Sequence, residues 1–276
     1  MTPPDRSPAP RTGSTAAPAT RASAVFGALM RRDIRVAQRE LPFFLLRTVG
    51  QPVLFIVVFG FLLPRMGFMR AGYTTALLPG VLAVSLALSS IQSVALPMVQ
   101  DFGFTKEIEG RLLAPIPTRL IALEKIVMGS LQGIIAALVV LPIARLIMGP
   151  IPGLSLTHIG EVLTVTVLGA TAFSSLGMFL GAGISPQQIG LMFSVIVAPM
   201  IFFGCAYYPW QGLDAIPVMK YLVLVNPLVY VAEGLRGALT PSVPHMHLAV
   251  AIGALLVVTV VFLALGLRSF EKRAIG

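Results

Sequence analysis

Charged residues are scarce in this chain of 276 residues: Asp, Glu, Lys and Arg make up 11% of it, against 56% hydrophobic residues. A soluble domain usually has about a quarter of its residues charged. The mean hydropathy of +0.89 therefore excludes an ordinary soluble protein. Acidic residues are scarcer than basic ones, with 11 Asp and Glu against 20 Lys and Arg. Because the basic residues cluster at the edges of apolar runs, they indicate a membrane protein rather than a nucleic-acid-binding one.

Cysteine is almost absent. Cys205 is the only one, which excludes an intrachain disulfide and a Cys-rich metal site. His245 and His247 lie close enough in sequence to share a metal ion, but zinc sites take three or four protein ligands and no third is evident. We therefore expect no metal site.

Catalytic and nucleotide-binding motifs are missing as well. The sequence contains no G-x-x-x-x-G-K-[ST] phosphate loop, no H-E-x-x-H and no nucleophile elbow. The chain therefore does not bind ATP through a phosphate loop, and no catalytic residues are predicted. Acids are rare inside the apolar runs too, where Glu161 is the only one well within a run. An ion-coupled carrier usually needs such groups near the membrane centre.

Long apolar runs, by contrast, are abundant. A membrane-spanning helix takes about 20 mostly apolar residues. Six runs meet this condition and predict an all-α integral membrane fold with six transmembrane helices: 43–64, 74–99, 119–148, 157–183, 187–208 and 247–268. Residues 1–23 contain five prolines and no apolar run, so we expect a disordered tail before a transmembrane domain over residues 24–276.

The distribution of Lys and Arg predicts an orientation. If both termini are cytoplasmic, 15 of the 20 Lys and Arg residues lie on the cytoplasmic side. This is the bias that the positive-inside rule describes. It places the segment between the second and third spans in the cytoplasm.

Residues 24–41 precede the first span with apolar residues on one helical face. Four arginines lie on the other face: Arg31, Arg32, Arg35 and Arg39. The pattern predicts a basic amphipathic helix that contacts membrane lipid at the cytoplasmic interface and ends at Pro42. Asp33 and Glu40 fall on the apolar side. Pairing with a basic group such as Arg47 is one interpretation, and a solvated juxtamembrane helix is the other.

The segment 208–246 is apolar in places but has no run long enough to span. Asn226 suits a helix N-cap and Pro227 the first helical position. Glu233 and Arg236 are three residues apart and can pair on one helix face. We therefore expect two short re-entrant helices, joined at Asn226, in the outer leaflet before the last span.

The segment 105–126, TKEIEGRLLAPIPTRLIALEKI, carries seven charges between two long apolar runs. Pro115 and Pro117 predict a short helix followed by a sharp turn. An ordinary cytoplasmic loop is one interpretation. The other is a rigid docking element for a cytoplasmic partner that hydrolyses ATP.

Three motifs, in this order, resemble the ABC-2 type permeases, which are membrane subunits of ATP-binding-cassette exporters. ALLPGVLA at 76–83 resembles a Pro-Gly turn early in the family's second span, and IEGRLLAPIPT at 108–118 resembles its cytoplasmic I-E-x-x-L-L-x-P segment. Residues 207–237, with YYPWQGLDAIP and NPLVYVAEGLRG, resemble its outer Y-P…P…N-P-x-x-Y…R signature. The resemblance covers about residues 24–270. It favours the branch of nodulation, polysaccharide and daunorubicin-type exporters.

The resemblance implies two permeases, as a homodimer or heterodimer, bound to two copies of a separate ATPase subunit. That partner would bind ATP and Mg, so the chain itself would need no cofactor, and no nucleic acid is involved. Substrate would pass between the permeases along spans two and five. The coupling segment, resting on the ATPase, would comprise Lys106, Glu107, Glu109, Arg111, Leu112, Leu113, Pro115, Pro117 and Arg119. The outer gate would comprise Tyr208, Pro209, Asn226, Pro227, Tyr230, Glu233 and Arg236.

The predicted function is export of an amphipathic or lipid-linked substrate, such as a drug, glycolipid or polysaccharide, across a bacterial plasma membrane. Two alternatives remain open. One is an integral membrane enzyme or assembly factor that acts on lipid. The other is an ion-coupled secondary carrier.

Overall fold

The computed structural model describes residues 18–69, 72–105, 117–151, 153–155 and 157–275. These residues form helices and turns without a strand. The α-helices are α1 (Pro18–Phe55), α2 (Leu63–Arg65), α3 (Tyr73–Gln100), α4 (Thr118–Met148), α5 (Ile159–Gly183), α6 (Ile189–Met192), α7 (Ala198–Phe202), α8 (Pro217–Leu222), α9 (Pro227–Leu239) and α10 (Leu248–Ile275). Three π-helical segments continue them: Ile56–Leu62, Asp101–Thr105 and Phe193–Val197.

Five helical stretches of the described chain are long and apolar enough to cross a membrane: Pro42–Arg65, Tyr73–Gly103, Thr118–Met148, Ile159–Gly183 and Leu248–Ala274. They confirm the all-α integral membrane fold and match five of the six predicted spans. The other predicted span, 187–208, is a shorter apolar helix, Pro186–Phe202. It ends at Phe202, and the chain enters left-handed backbone three residues later, at Cys205, with a φ of 52°.

The two short helices predicted before the last span are present. Pro217–Val225 and Pro227–Leu239 are bent by 101° relative to each other at Asn226. Such a bend marks a broken span or a re-entrant loop. Counting the pair as one span raises the number of possible spans from five to six.

The N-terminal part of the fold corrects two predictions. Pro42 does not end the first helix, since α1 continues through both Pro42 and Pro52. Neighbouring helices can offset the backbone hydrogen bond that a proline removes, so membrane helices tolerate it. Residues 18–23, predicted to belong to a disordered tail, are helical. The prediction for residues 1–17 lies outside the described residues.

Helix α3 forms the centre of the bundle. It packs against α4, α5 and α9, and 89% of its most apolar stretch is buried. Glycines allow the close approach: a Cβ on Gly177 of α5 would lie 2.7 Å from the carbonyl oxygen of Ile91, and one on Gly133 of α4 1.9 Å from Ser90 Oγ. The small residues therefore serve packing within one chain. Its own chain therefore encloses most of α3, and the substrate path along spans two and five stays a prediction.

Candidate functional site

A buried ion pair lies at the centre of the outer helices. Glu233 and Arg236 of α9 pair through Oε1 and Nη1, and both side chains are fully buried. Their i, i+3 spacing places them on one helix face, as predicted. Helix α9 begins as the sequence indicates: Asn226 Oδ1 accepts from Leu228 N–H at 3.0 Å, and Pro227 takes the first helical position.

The Glu233 carboxylate holds two further segments. Its Oε1 accepts a hydrogen bond from the backbone N–H of Trp210 at 2.9 Å. Its Oε2 accepts from the backbone N–H of Met246 at 2.7 Å. Trp210 opens the turn before α8, and Met246 comes just before α10. The carboxylate therefore joins both ends of the outer segment to α9.

The Arg236 guanidinium makes the complementary contacts. Its Nε donates to the carbonyl oxygen of Ala76 in α3 at 3.3 Å, and its Nη2 donates to that of Cys205 at 2.9 Å. Cys205 adopts a left-handed conformation that residues with a Cβ rarely take. The Pro-Gly motif also serves this junction: Gly80 lies within continuous helix, and a Cβ there would come within 1.7 Å of the Ala206 carbonyl oxygen. Its prediction as a turn is wrong, since the glycine is needed for close packing.

Aromatic residues surround the pair. Trp210 donates through Nε1 to the Lys220 carbonyl oxygen at 2.9 Å, and the Lys220 ammonium lies 4.4 Å from the Trp210 ring centre. Tyr230 donates its hydroxyl to the Leu224 carbonyl oxygen at 2.6 Å. We define the outer polar cluster as Glu233, Arg236, Trp210, Lys220, Cys205 and Tyr230.

The predicted gate residues lie in or beside this cluster. Tyr208 is half-buried, donates weakly to the Phe202 carbonyl oxygen at 3.4 Å, and has its pKa raised by burial. Pro209 directly precedes Trp210. Sequence reasoning did not select Trp210, Lys220 or Cys205 as cluster residues. The available signal for Trp210 was that it is the single tryptophan of the sequence and lies between Pro209 and Pro217.

Two ion pairs lie at the opposite end of the bundle, where α4 begins and α10 ends. Lys125 of α4 pairs with Asp33 of α1 at 2.9 Å, and the two side chains are only 14% and 13% exposed. Arg119 of α4 makes a two-pronged contact with Glu271 of α10, at 2.5 and 3.2 Å. We call these contacts the ion-pair frame. From the sequence, Arg47 was considered as a pairing partner of Asp33, and Lys125 was not identified.

Most of the predicted coupling segment, residues 106–116, lies outside the described residues, and its role stays a prediction. Pro117 is exposed and directly precedes α4. The end of the charged segment is the first part of α4, where Glu124 is fully buried. Residues 119–126 are thus helical, as the predicted third span 119–148 requires. Four arginines of α1 are exposed: Arg31, Arg32, Arg35 and Arg39. Their place at the membrane interface stays a prediction.

Most of the polar side chains described above contact other groups of the protein. Within the described residues, no three His, Cys, Asp or Glu side chains come together as a metal site would need. His245 donates through Nδ1–H to the Val243 carbonyl oxygen at 2.8 Å. What the arrangement does offer is a rigid outer cluster and an ion-pair frame, joined by a tightly packed helix bundle.

Comparison with known proteins gives consistent matches. The family model described as "ABC-2 type transporter" matches residues 24–240. The chain is also similar to the inner membrane transport permease YadH of Escherichia coli strain K12 and of Shigella flexneri. In both cases 27% of residues are identical over 221 residues, which cover 76% of this chain and 80% of the relative.

Proposed function

Since this chain belongs to the ABC-2 type transporter family, we propose that it is the permease subunit of an ATP-binding-cassette exporter in a bacterial inner membrane. The substrate is an amphipathic or lipid-linked molecule such as a drug, glycolipid or polysaccharide. A separate ATPase subunit binds ATP and Mg, consistent with a sequence that contains no phosphate loop. Two permeases and two ATPases form the working unit, with both termini in the cytoplasm.

The ion-pair frame is the observation that supports this function best. Lys125–Asp33 and Arg119–Glu271 tie α1 and α10 to the first turns of α4. Helix α4 starts directly after the coupling segment. A push on that segment by an ATPase therefore reaches three helices at once, because close-packed helices move as rigid bodies.

The outer polar cluster provides the opposite end of the proposed mechanism. The Glu233–Arg236 pair holds the outer helices onto α3 and the turn after α7. When α3 and α4 tilt together, the outer helices move with α3 as a lid. No charge has to cross the membrane centre during this motion.

Exchange of one charge in the coupling segment tests the proposal. Glu109→Arg should leave the permease inserted and monodisperse, since a solvated charge adds about 1 kcal/mol or less to folding. Loss of a charge pair in a desolvated interface costs about 2–5 kcal/mol. Co-purification of the ATPase and export should therefore fall at least tenfold, roughly the effect of 1.4 kcal/mol.

Glu161→Gln is the matched control for this experiment. Glu161 is partly exposed and contacts His158 at 3.3 Å, near the end of the bundle that carries the outer cluster. This variant should keep the ATPase bound. The purified wild-type chain alone should hydrolyse ATP no faster than buffer. Normal ATPase capture by Glu109→Arg, or robust hydrolysis by the isolated chain, would contradict the proposal.

A further inference from the structure

A cavity of about 370 Å³ opens between α1, α3 and α4, on the side of the bundle that carries the ion-pair frame. Its polar lining consists mainly of side-chain amides: Gln38, Gln92, Gln100 and Gln132, with Ser93 beside them. Phe43 and Phe44 of α1 form part of the apolar wall. We call this cavity the amide pocket. Its volume is in the range of small-molecule sites.

Helical spacing explains how the amides come to line one cavity. On α3, Gln92 and Gln100 are eight residues apart, with Leu96 between them, so all three share one face. On α4, Gln132 follows Met128 by one turn, and both line the pocket. Each wall therefore presents amides next to apolar side chains. The lining residues of α3 are partly exposed, whereas Val94, Ala95 and Met98 on the opposite face are buried.

The chemistry of the lining selects for an uncharged polar group. None of the described side chains that line the cavity is ionisable. A charged group would lose hydration there without gaining a counter-charge from these side chains, which is costly. A side-chain amide both donates and accepts hydrogen bonds, so it matches hydroxyl and amide groups.

Two of the amides are available for a ligand. Gln92 and Gln132 are half-buried, and within the described residues neither side chain has a hydrogen-bond partner. A polar group in apolar surroundings is unfavourable unless it is hydrogen-bonded. Serine shows the alternative on the same helix, since Ser93 donates to the Ser89 carbonyl oxygen at 2.6 Å. Gln92 and Gln132 make no such bond to their own helix among the described residues.

We propose that the amide pocket binds the uncharged, hydrogen-bonding head of an amphipathic molecule, with Gln92 and Gln132 contacting the head. The apolar chain of the ligand lies against Phe43, Phe44 and the neighbouring apolar residues. Binding at this site does not depend on an ATPase or on export. It can therefore be tested on the isolated chain, separately from the proposed function.

Photolabelling tests the site. The full chain is placed in phosphatidylcholine nanodiscs with 1-O-dodecylglycerol that carries a diazirine on its alkyl chain. A dodecyl phosphate with the same diazirine is the charged comparison. The uncharged probe should label peptides that contain Phe43–Phe44 or 131–135, at least tenfold more than the phosphate probe. Mass spectrometry of the labelled peptides gives the position and the yield.

Substitution of the amides should weaken labelling. Gln92→Leu and Gln132→Leu should each lower the affinity of the uncharged probe roughly fivefold, the effect of losing one or two neutral hydrogen bonds. Gln51→Leu is the matched control, because Gln51 is an exposed amide of α1 outside the pocket. It should label as the wild type does. Thermal midpoints of all three variants show whether each is folded.

The outcomes separate clearly. Unchanged labelling in folded Gln92→Leu and Gln132→Leu would overturn the proposal, and so would equal labelling by the phosphate probe. Labelling that maps elsewhere on the chain would also overturn it. Loss of labelling in the two amide variants, with Gln51→Leu unaffected, supports it whether or not the chain exports anything.

Discussion

Single residues determine how the outer helices are held. The Glu233–Arg236 pair has no solvent exposure, so both charges have given up their hydration. A buried pair is tolerated when the remaining donors and acceptors are satisfied. Here the carboxylate accepts two backbone N–H groups and the guanidinium donates to two carbonyl oxygens. Removal of either partner therefore leaves an uncompensated charge.

Glu233→Gln should be strongly destabilising. The amide keeps the shape of the carboxylate but leaves the Arg236 charge buried and unpaired, at a cost of about 3–5 kcal/mol. Unfolding by SDS in mixed micelles measures the loss. Asp214→Asn is the control, since the Asp214 side chain is 67% exposed and pairs with Lys220 at the surface. It should change the unfolding free energy by about 1 kcal/mol or less. Similar losses of unfolding free energy in Glu233→Gln and Asp214→Asn would contradict the stabilising role of the buried pair.

Gly80→Ala tests the close contact between α3 and the turn after α7. The new Cβ would lie 1.7 Å from the Ala206 carbonyl oxygen, a backbone atom that cannot rotate away. Overpacking of this kind costs about 1–3 kcal/mol or more. Gly253→Ala is the control, because no atom lies within 4 Å of its added Cβ. Alanine is also the better helix former by up to ~1 kcal/mol. In the same SDS titration, Gly80→Ala should lower the unfolding free energy and Gly253→Ala should raise it. An unchanged unfolding free energy in Gly80→Ala would refute the close contact.

At the level of whole elements, the ion-pair frame decides how α1 relates to the bundle. Helix α1 packs against α3 and α4. The Asp33–Lys125 contact adds a charged link to α4 beside the amide pocket. Because this pair is mostly buried, it should be stronger than an exposed pair and weaker than Glu233–Arg236.

Charge exchange tests the link between α1 and α4. Asp33→Lys and Lys125→Asp alone should each lower the unfolding free energy by roughly 1–3 kcal/mol, between the exposed and buried limits. The double exchange should recover at least half of the loss, because opposite charges face each other again. A double-mutant cycle measures the coupling. Arg119→Ala is the control, since its side chain is 71% exposed. Additive losses in the double exchange would show that the pair contributes nothing.

In the whole molecule, the middle of the helix bundle is apolar. The outer polar cluster lies at one end of the bundle and the ion-pair frame lies at the other. The outer cluster contacts the first turns of α3 and the segment before α10, whereas the frame joins α1, the start of α4 and the end of α10. The two polar regions are therefore separated by the length of the spans. This arrangement predicts that they lie on opposite sides of the membrane.

Labelling of introduced cysteines in sealed vesicles measures this arrangement. Ser242→Cys and Lys272→Cys, both at exposed positions, should react with a membrane-impermeant maleimide from opposite sides. The native Cys205 should stay silent at neutral pH, because burial raises the pKa of its thiol to about 12 and maleimides react with the thiolate. The unsubstituted protein is therefore the blank. Labelling of both introduced cysteines from one side would contradict the arrangement and the positive-inside orientation.

The sequence alone determined much of the fold and part of the outer cluster. Five spans, the N-cap at Asn226, the bend beside Pro227 and the pairing of Glu233 with Arg236 follow from local patterns. These are apolar run length, capping chemistry and i, i+3 spacing. All of them act within one segment, which is why a single sequence can show them. The coupling segment 106–116 remains a prediction from motif resemblance.

Tertiary structure alone decided how distant segments meet. The contact of Lys125 with Asp33 joins residues 92 positions apart, and the close approach of Gly80 to Ala206 joins two different helical regions. Three further features also depend on contacts between distant segments. They are the continuation of α1 through Pro42, the burial of Glu124 and the meeting of Gln92 with Gln132 at one cavity. Each depends on which helix faces are turned toward each other. Packing of the complete bundle sets which faces meet. An apolar side chain in the sequence does not specify its partner, because it can pack against many other apolar side chains. Only one arrangement of the helices fills the space.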